Sequence, residues 1–389
     1  MIRPLGATAV VVGLASACSQ STSRTSSATS ATSQRPTTST TIGPRTVPIR
    51  PVTLDTIAQR YRAFCKSPGA AVGLRTSDGT THFAVSGRFA PQVPLDRNSQ
   101  FLAGSVTKLF VATVAYQLVA KHELGLDDTV DRYLAGWPRG KRITIAMLLG
   151  HRSGMGDFGN DFGEQLRDLV LSDLTRVFRY REVLALVRAV PPVAPPGAIY
   201  HYTNANYIVL GAILQRITHE TLGQLFAARI IEPLRLTRTL YGPDQLAAAQ
   251  RVVFHGLFDV AGTGSPIDIG SFPRNAALSV DPAGAGLFSS LPDLLTFAHA
   301  LFATDALLAA PKRTNLAHTV STLTAKDLLL DRRFAIRGHG GTAPGAQTIV
   351  AYDRAHDTTV AVWCNRLDPG ANELLPSVAA AKETFALVP

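Results

Sequence analysis

The chain is short of cysteine, of lysine and of long apolar runs, and each shortage narrows the reading. Its 389 residues hold three cysteines, Cys18, Cys65 and Cys364. Neither these nor the 10 histidines fall at metal-ligand spacing, so the sequence predicts no metal site and no cofactor. No Lys/Arg run with interleaved aromatics occurs. The net charge of +10 therefore describes a generally basic surface and not a nucleic-acid groove. No internal repeat is present, which excludes a solenoid. No apolar run is long enough for a stable transmembrane span. Charged residues make up 17% and hydrophobic residues 46%, a balance that suits one large packed domain or two smaller ones.

What is present begins with a targeting pattern at residues 1–17. Arg3 gives a short positive region, Leu5 to Leu14 is apolar, and Ala15-Ser16-Ala17-Cys18 follows. Cys18 after two small residues resembles the lipobox of bacterial lipoproteins, although Ala15 stands where leucine is usual. The sequence thus predicts a lipid anchor on Cys18 at the outer face of the cytoplasmic membrane. Plain secretion after Ala-x-Ala cleavage is the alternative. Residues 18–50 are mostly Ser and Thr, cannot build a core, and read as a stalk. Residues 51–389 read as one folded domain, a monomer. Export permits a disulfide, but spacing does not bring Cys65 to Cys364, and two buried free thiols are the expectation.

Along the domain, Leu54 to Phe64 reads as a helix. Ala70 to Arg75 and Thr81 to Ser86 read as strands joined by Ser77-Asp78-Gly79-Thr80, a strong hairpin signal. The middle, to about residue 300, is largely helical. Gln347 to Tyr352 and Thr358 to Cys364 return to strands, and Leu374 to Leu387 closes with a helix. Strands at both ends with helices between them predict an α+β, three-layer α/β/α fold. Its antiparallel sheet is built from the chain termini, and a mainly helical lobe is inserted between them.

Against the scarcity of lysine, Ser105-Val106-Thr107-Lys108 stands out, because Ser105 is the only serine with a lysine three residues on. Positions i and i+3 share a helix face, so the hydroxyl and the amine can meet. A serine hydroxyl is a poor nucleophile until a neighbouring base takes its proton, and S-x-x-K is a minimal device for that. Tyr202-Thr203-Asn204 and His339-Gly340-Gly341 follow, about a hundred residues apart. Taken singly, each has an ordinary structural use: Ser105 as a helix cap, Asn204 as the N-cap of the next helix, His339 as a loop residue.

Taken together, the motifs resemble the serine β-lactamase and penicillin-binding protein superfamily, especially class C β-lactamases and D-alanyl-D-alanine carboxypeptidases. The resemblance runs from about Leu54 to the C-terminus. It rests on Ala103-Gly-Ser-Val-Thr-Lys108, Leu126-Asp-Asp-Thr-Val-Asp131-Arg-Tyr-Leu134 and Leu148-Leu-Gly-His-Arg-Ser-Gly154. Tyr202-Thr-Asn-Ala-Asn-Tyr207, Ala285-Gly-Leu-Phe-Ser-Ser290 and Gly338-His-Gly-Gly-Thr-Ala-Pro-Gly345 carry it further. The resemblance implies acyl transfer. Ser105 would be the nucleophile, Lys108 and Tyr202 would share the proton work, and Asn204 would bind the substrate amide and hold Lys108. His339, with Gly340 and Gly341, would border the substrate, and the N–H groups of Ser105 and Thr342 would form an oxyanion hole. Which of Lys108 and Tyr202 is the base stays open. His151 reads as loop architecture.

Two departures from the pattern bear on the substrate. Gly340 replaces the threonine that, in the carboxypeptidases, helps bind the substrate carboxylate. No aligned arginine precedes the third motif, with Arg332, Arg333 and Arg337 the candidates. The expected substrates are D-alanyl peptides derived from peptidoglycan, or β-lactams. An esterase or amidase on small acyl substrates is the alternative, and a non-catalytic penicillin-binding module ranks last because no catalytic residue is missing. Tyr-x-Asn in place of Ser-Asp-Asn speaks against a class A β-lactamase.

Overall fold

A computed structural model describes residues 52–90, 92–158, 163–251, 255–258, 266–320, 323–367 and 374–388. The predicted signal peptide, Cys18 and the stalk lie outside the described residues.

Helix α1 (Leu54–Cys65) has a complete set of end signals. The Thr53 hydroxyl accepts the Thr56 N–H at 3.3 Å, Asp55 sits in the first turn, and Lys66 ends the helix in the left-handed region at φ 51°. Strands β1 (Gly69–Arg75) and β2 (Thr81–Ala90) form the predicted hairpin, with Gly79 supplying the φ of +87° that its turn requires. A short strand β3 (Val93–Pro94) follows, and β4 (Ile336–Ala343), β5 (Ala346–Asp353) and β6 (Thr358–Cys364) complete the sheet. The strand order is β3-β2-β1-β6-β5-β4. All pairings are antiparallel, and β1 lies directly on β6 with Ala70 opposite Cys364. The two ends of the domain thus build one sheet, as the sequence predicts.

The two-residue period of the central strands sorts their side chains into two cores. Val72, Ile349, Val360 and Val362 pack with Ile57 and Tyr61 of α1 and with Ala381 and Phe385 of α5 (Leu375–Phe385). Ala71, Val350, Ala361 and Trp363 face the other way, toward the helical lobe. There Trp363 stacks on Phe101 at 4.9 Å. Each large apolar side chain buried in these layers is worth about 1.5–3 kcal/mol.

Cys65 and Cys364 form a disulfide, with Cα atoms 6.9 Å apart, so the expectation of free thiols is overturned. The cause is topological. The last residue of α1 returns to the sheet where β6 ends, a juxtaposition set by the β1–β6 register and invisible in spacing.

In the lobe, α2 (Thr107–Ala120) is buried on nearly every side, with Gln117 and Ala120 outside its buried set. It is a core helix, not an amphipathic one. Phe110 stacks on Phe297 of α4 (Leu291–Phe302) at 3.9 Å, which joins α2 to the helix that covers the sheet.

Candidate active site

Ser105 lies in a single 3₁₀ turn, Gly104–Val106, just before α2. No side chain caps α2, so the Ser105 hydroxyl is not spent on capping. Gly104 has φ +55°, and a Cβ there would lie 2.5 Å from the Thr342 carbonyl oxygen. Only glycine serves at such a place. The Thr107 hydroxyl donates to the Gly104 carbonyl at 2.7 Å and accepts the Leu287 N–H at 3.2 Å. These bonds pin the turn to the neighbouring strand.

Because α2 is a core helix, Lys108 on its first turn is fully buried. Its Nζ donates to Ser105 Oγ at 3.0 Å and to the Gly284 carbonyl at 3.0 Å. It lies 5.1 Å from the centre of the Tyr202 ring and 5.9 Å from that of Tyr207, within cation–π range. The predicted meeting of Ser105, Lys108 and Tyr202 is present.

Helix α3 (Asn204–Thr218) starts on Thr203, whose hydroxyl accepts the Ala205 N–H at 3.2 Å and donates to the Gly156 carbonyl at 2.8 Å. The N-cap is therefore Thr203. Asn204, read as a candidate cap, is the first helical residue, which leaves its amide to point elsewhere: Nδ2 donates to Asp281 Oδ2 at 2.9 Å. Asp281 was not singled out in the sequence. The signal for it was an acid in an apolar stretch, four residues before Ala285. It is 3% exposed, and burial pushes its carboxyl up to about 6, a rise opposed by the charge of Lys108 and by the Gly284 N–H.

His151 does more than shape a loop. Its ring stacks on Tyr202 at 4.3 Å, and its Nδ1 accepts the Thr203 N–H at 3.3 Å and contacts Asn206 Nδ2 at 3.1 Å. Burial first, then the charge of Lys108, holds its pKa well below the ordinary histidine range, so it is neutral. It braces the Tyr202–Asn204 segment from behind.

The third motif is strand, not loop. His339, Gly340 and Gly341 lie in β4, the last strand of the sheet. A Cβ on Gly341 would come 2.0 Å from the Ala103 carbonyl oxygen and 3.2 Å from the Ser105 nitrogen. The backbone of β4 therefore crosses the serine turn in direct contact, which brings Gly341 and Thr342 beside Ser105. His339 is buried, with its ring 6.4 Å from that of Tyr202. Its Nδ1–H donates to the Gly340 carbonyl. Burial, then the charge of Lys108, pushes its pKa down to about 3, so it is neutral near pH 7. Gly340 looks to the opposite face, where a Cβ would lie 2.8 Å from Leu374 Cδ1. Of the candidate arginines, Arg332 and Arg333 are exposed, the latter paired with Asp331 at 3.0 Å. Arg337 lies on β4, two residues before His339.

A sheet assembled from both chain ends, with a serine–lysine pair under its edge strand, defines the class: the β-lactamase/transpeptidase fold. The Beta-lactamase family model matches residues 54–383, and the chain belongs to that family. It is 30% identical over 240 residues to penicillin-binding protein 4 of Amycolatopsis lactamdurans, covering 59% of this chain and 58% of that one. It is 29% identical over 256 residues to the unguisins hydrolase ungD of Aspergillus violaceofuscus, covering 62% and 43%. The chain thus spans about half the length of the curated relatives it matches. Among solved structures, the D-amino acid amidase of Ochrobactrum anthropi SV3 superposes with a TM-score of 0.71 at 19% identity, covering 86% of this chain and 96% of that one. A D-stereospecific amidohydrolase from Streptomyces gives 0.67 at 22% identity, covering 81% and 95%. These two share the fold.

Proposed function

We propose that the chain is an exported serine hydrolase that works through an acyl-enzyme on Ser105. The observation that carries this is the 3.0 Å contact between Ser105 Oγ and the Nζ of a fully buried lysine. Ser105 Oγ attacks the substrate carbonyl while its proton passes to the Lys108–Tyr202 pair. The same pair returns the proton to the leaving group, and water then releases the acyl group. The N–H groups of Ser105 and Thr342 hold the oxyanion, an effect of about 10²–10³ in rate per donor in comparable sites. Asn204 sits between the substrate and Asp281. His339, being neutral, offers the substrate a hydrogen bond and no charge.

The substrates are D-amino acyl compounds: D-alanyl peptides, D-amino acid amides or β-lactams. The relatives named penicillin-binding protein and D-amino acid amidase support this range. The reading of an esterase or amidase on uncharged acyl substrates draws support from His339, which is buried and neutral and so offers a carboxylate no charge. The Cys65–Cys364 disulfide supports an oxidising compartment, in line with export and with Cys18 as the lipidated residue.

Labelling with a fluorescent penicillin and with a fluorophosphonate tests the proposal, with Ser105→Ala as control. Labelling of the native protein and not of Ser105→Ala is expected. No labelling of the native protein by either probe refutes the acyl-enzyme. Slow turnover of bound penicillin identifies a peptidase, fast turnover a β-lactamase, and reaction with the phosphonate alone an esterase. Cys18→Ala is expected to release the protein from membranes.

A further inference from the structure

A cavity of about 480 Å³ opens at the end of β4 and β5, outside the site described above. That volume lies in the range of small-ligand sites. Phe302 and Tyr352 line it with nearly parallel rings 6.5 Å apart. Arg337 from β4, Arg354 just past β5, and Arg313 and His318 from the helix Ala310–Val320 supply its polar lining.

The three arginines come from three separate segments, and the lining holds no carboxylate among the described residues. One neighbouring acid engages a lining arginine, and two are held by other groups. Asp305 pairs with Arg313 at 2.5 Å, and Arg313 also donates to the Thr304 and Leu308 carbonyls, so its charge is already matched. Asp353 is buried, accepting the Ala335 and Ala355 N–H groups and contacting His356. Asp357 accepts from the Tyr352 hydroxyl at 3.1 Å and pairs with His299 at 3.3 Å. Arg337 spends one N–H on the Ile336 carbonyl at 2.8 Å. A guanidinium has five donors, so most of its fork remains for a ligand. The register that sets Arg337 opposite Tyr352, and the 3.1 Å bond from the Arg354 N–H to the Ala335 carbonyl, bring the two strand arginines to one end of the hairpin.

Such a lining matches a ligand with more than one negative charge and several oxygens in a compact group. We propose that this cavity binds a phosphate-bearing ligand, held by Arg337 and Arg354. A phosphate takes bidentate bonds from more than one guanidinium at once, which a single carboxylate does less well. The site does not depend on the chemistry of Ser105, so it is testable whether or not the acyl-enzyme forms.

The experiment is calorimetric titration of the full chain at low salt and about pH 6 with inorganic pyrophosphate, and with succinate as a dicarboxylate, each carrying roughly two negative charges there. Arg337→Gln/Arg354→Gln is the test variant. Arg97→Gln/Arg181→Gln, altered at two exposed arginines away from the cavity, makes the same change in net charge. Thermal unfolding checks that both variants fold. Pyrophosphate is expected to bind more tightly than succinate, and its Kd to rise by about tenfold or more in the cavity variant and by less than about threefold in the control. Absence of pyrophosphate binding to the native protein overturns the proposal. So do equal loss in both variants, which reports only the basic surface, and equal affinity for succinate, which removes the phosphate assignment.

Discussion

Asp281 supplies the sharpest test of the electrostatics under Ser105. Its carboxyl is raised from 3.8 to about 6 in the folded protein, with burial the dominant cause. In the unfolded chain it titrates near its ordinary value. Between about pH 4 and pH 6 the folded state therefore keeps a proton that the unfolded state has released, and stability falls as pH rises. A rise of about two units at 1.36 kcal/mol each makes the loss about 3 kcal/mol by pH 7. Asparagine resembles the protonated acid in shape and in hydrogen-bonding capacity, and it cannot ionise. Asp281→Asn should therefore match the native protein near pH 4 and exceed it in stability by about 3 kcal/mol near pH 7. Urea unfolding of both proteins from pH 4 to pH 8 measures this. The same substitution removes the carboxylate that acts on Lys108, so penicillin labelling should slow even as stability rises. A variant less stable than the native protein at pH 7, or a difference that does not grow between pH 4 and pH 7, refutes the reasoning. Either result would mean that the attraction of Lys108 outweighs burial at this carboxyl.

Three further outcomes follow from the geometry. Lys108→Met replaces a buried ammonium by an apolar chain of similar volume. It should slow Ser105 acylation by about 10²–10⁴ and lower the unfolding free energy by about 1–3 kcal/mol, because the buried Gly284 carbonyl loses its donor and Asp281 its neighbouring cation, as stopped-flow labelling and urea titration would show. Gly341→Ala places a Cβ 2.0 Å from the Ala103 carbonyl oxygen, so β4 must move off the serine turn. Acylation should fall by about 10²–10³, the effect of one lost oxyanion donor, with the rate constant of penicillin labelling as the readout. Cys65→Ser/Cys364→Ser opens a link between residues 299 apart in sequence and should lower stability by about 2–5 kcal/mol, read from denaturant midpoints in the native and variant proteins.

What could be read from the sequence was whatever is local. The Asp78-Gly79 turn and the i, i+3 spacing of Ser105 and Lys108 each act within a few residues, and the sequence displays them directly. What could not be read depends on register. The disulfide needs β1 to lie on β6. The partnership of Asn204 with Asp281 crosses 77 positions, and that of His151 with Thr203 crosses 52. No spacing rule reaches so far.

The same distinction explains why the parts of this site that escaped sequence reasoning are its supports. Ser105, Lys108, Tyr202 and His339 sit in short motifs because each must occupy a fixed place on its own element. Asp281 and His151 only have to meet groups delivered by other elements. His151 reaches Tyr202 with a φ of +53°, a conformation unusual for a residue with a side chain, so the backbone there is held by its surroundings and not by local preference. Gly104 and Gly341 are the counterpart on the nucleophile side, where absent side chains let two backbones touch. The reactive groups are thus set by sequence neighbours, and their distances by partners from remote segments. Substitutions in the second set should change rate constants while leaving the identity of the labelled serine intact.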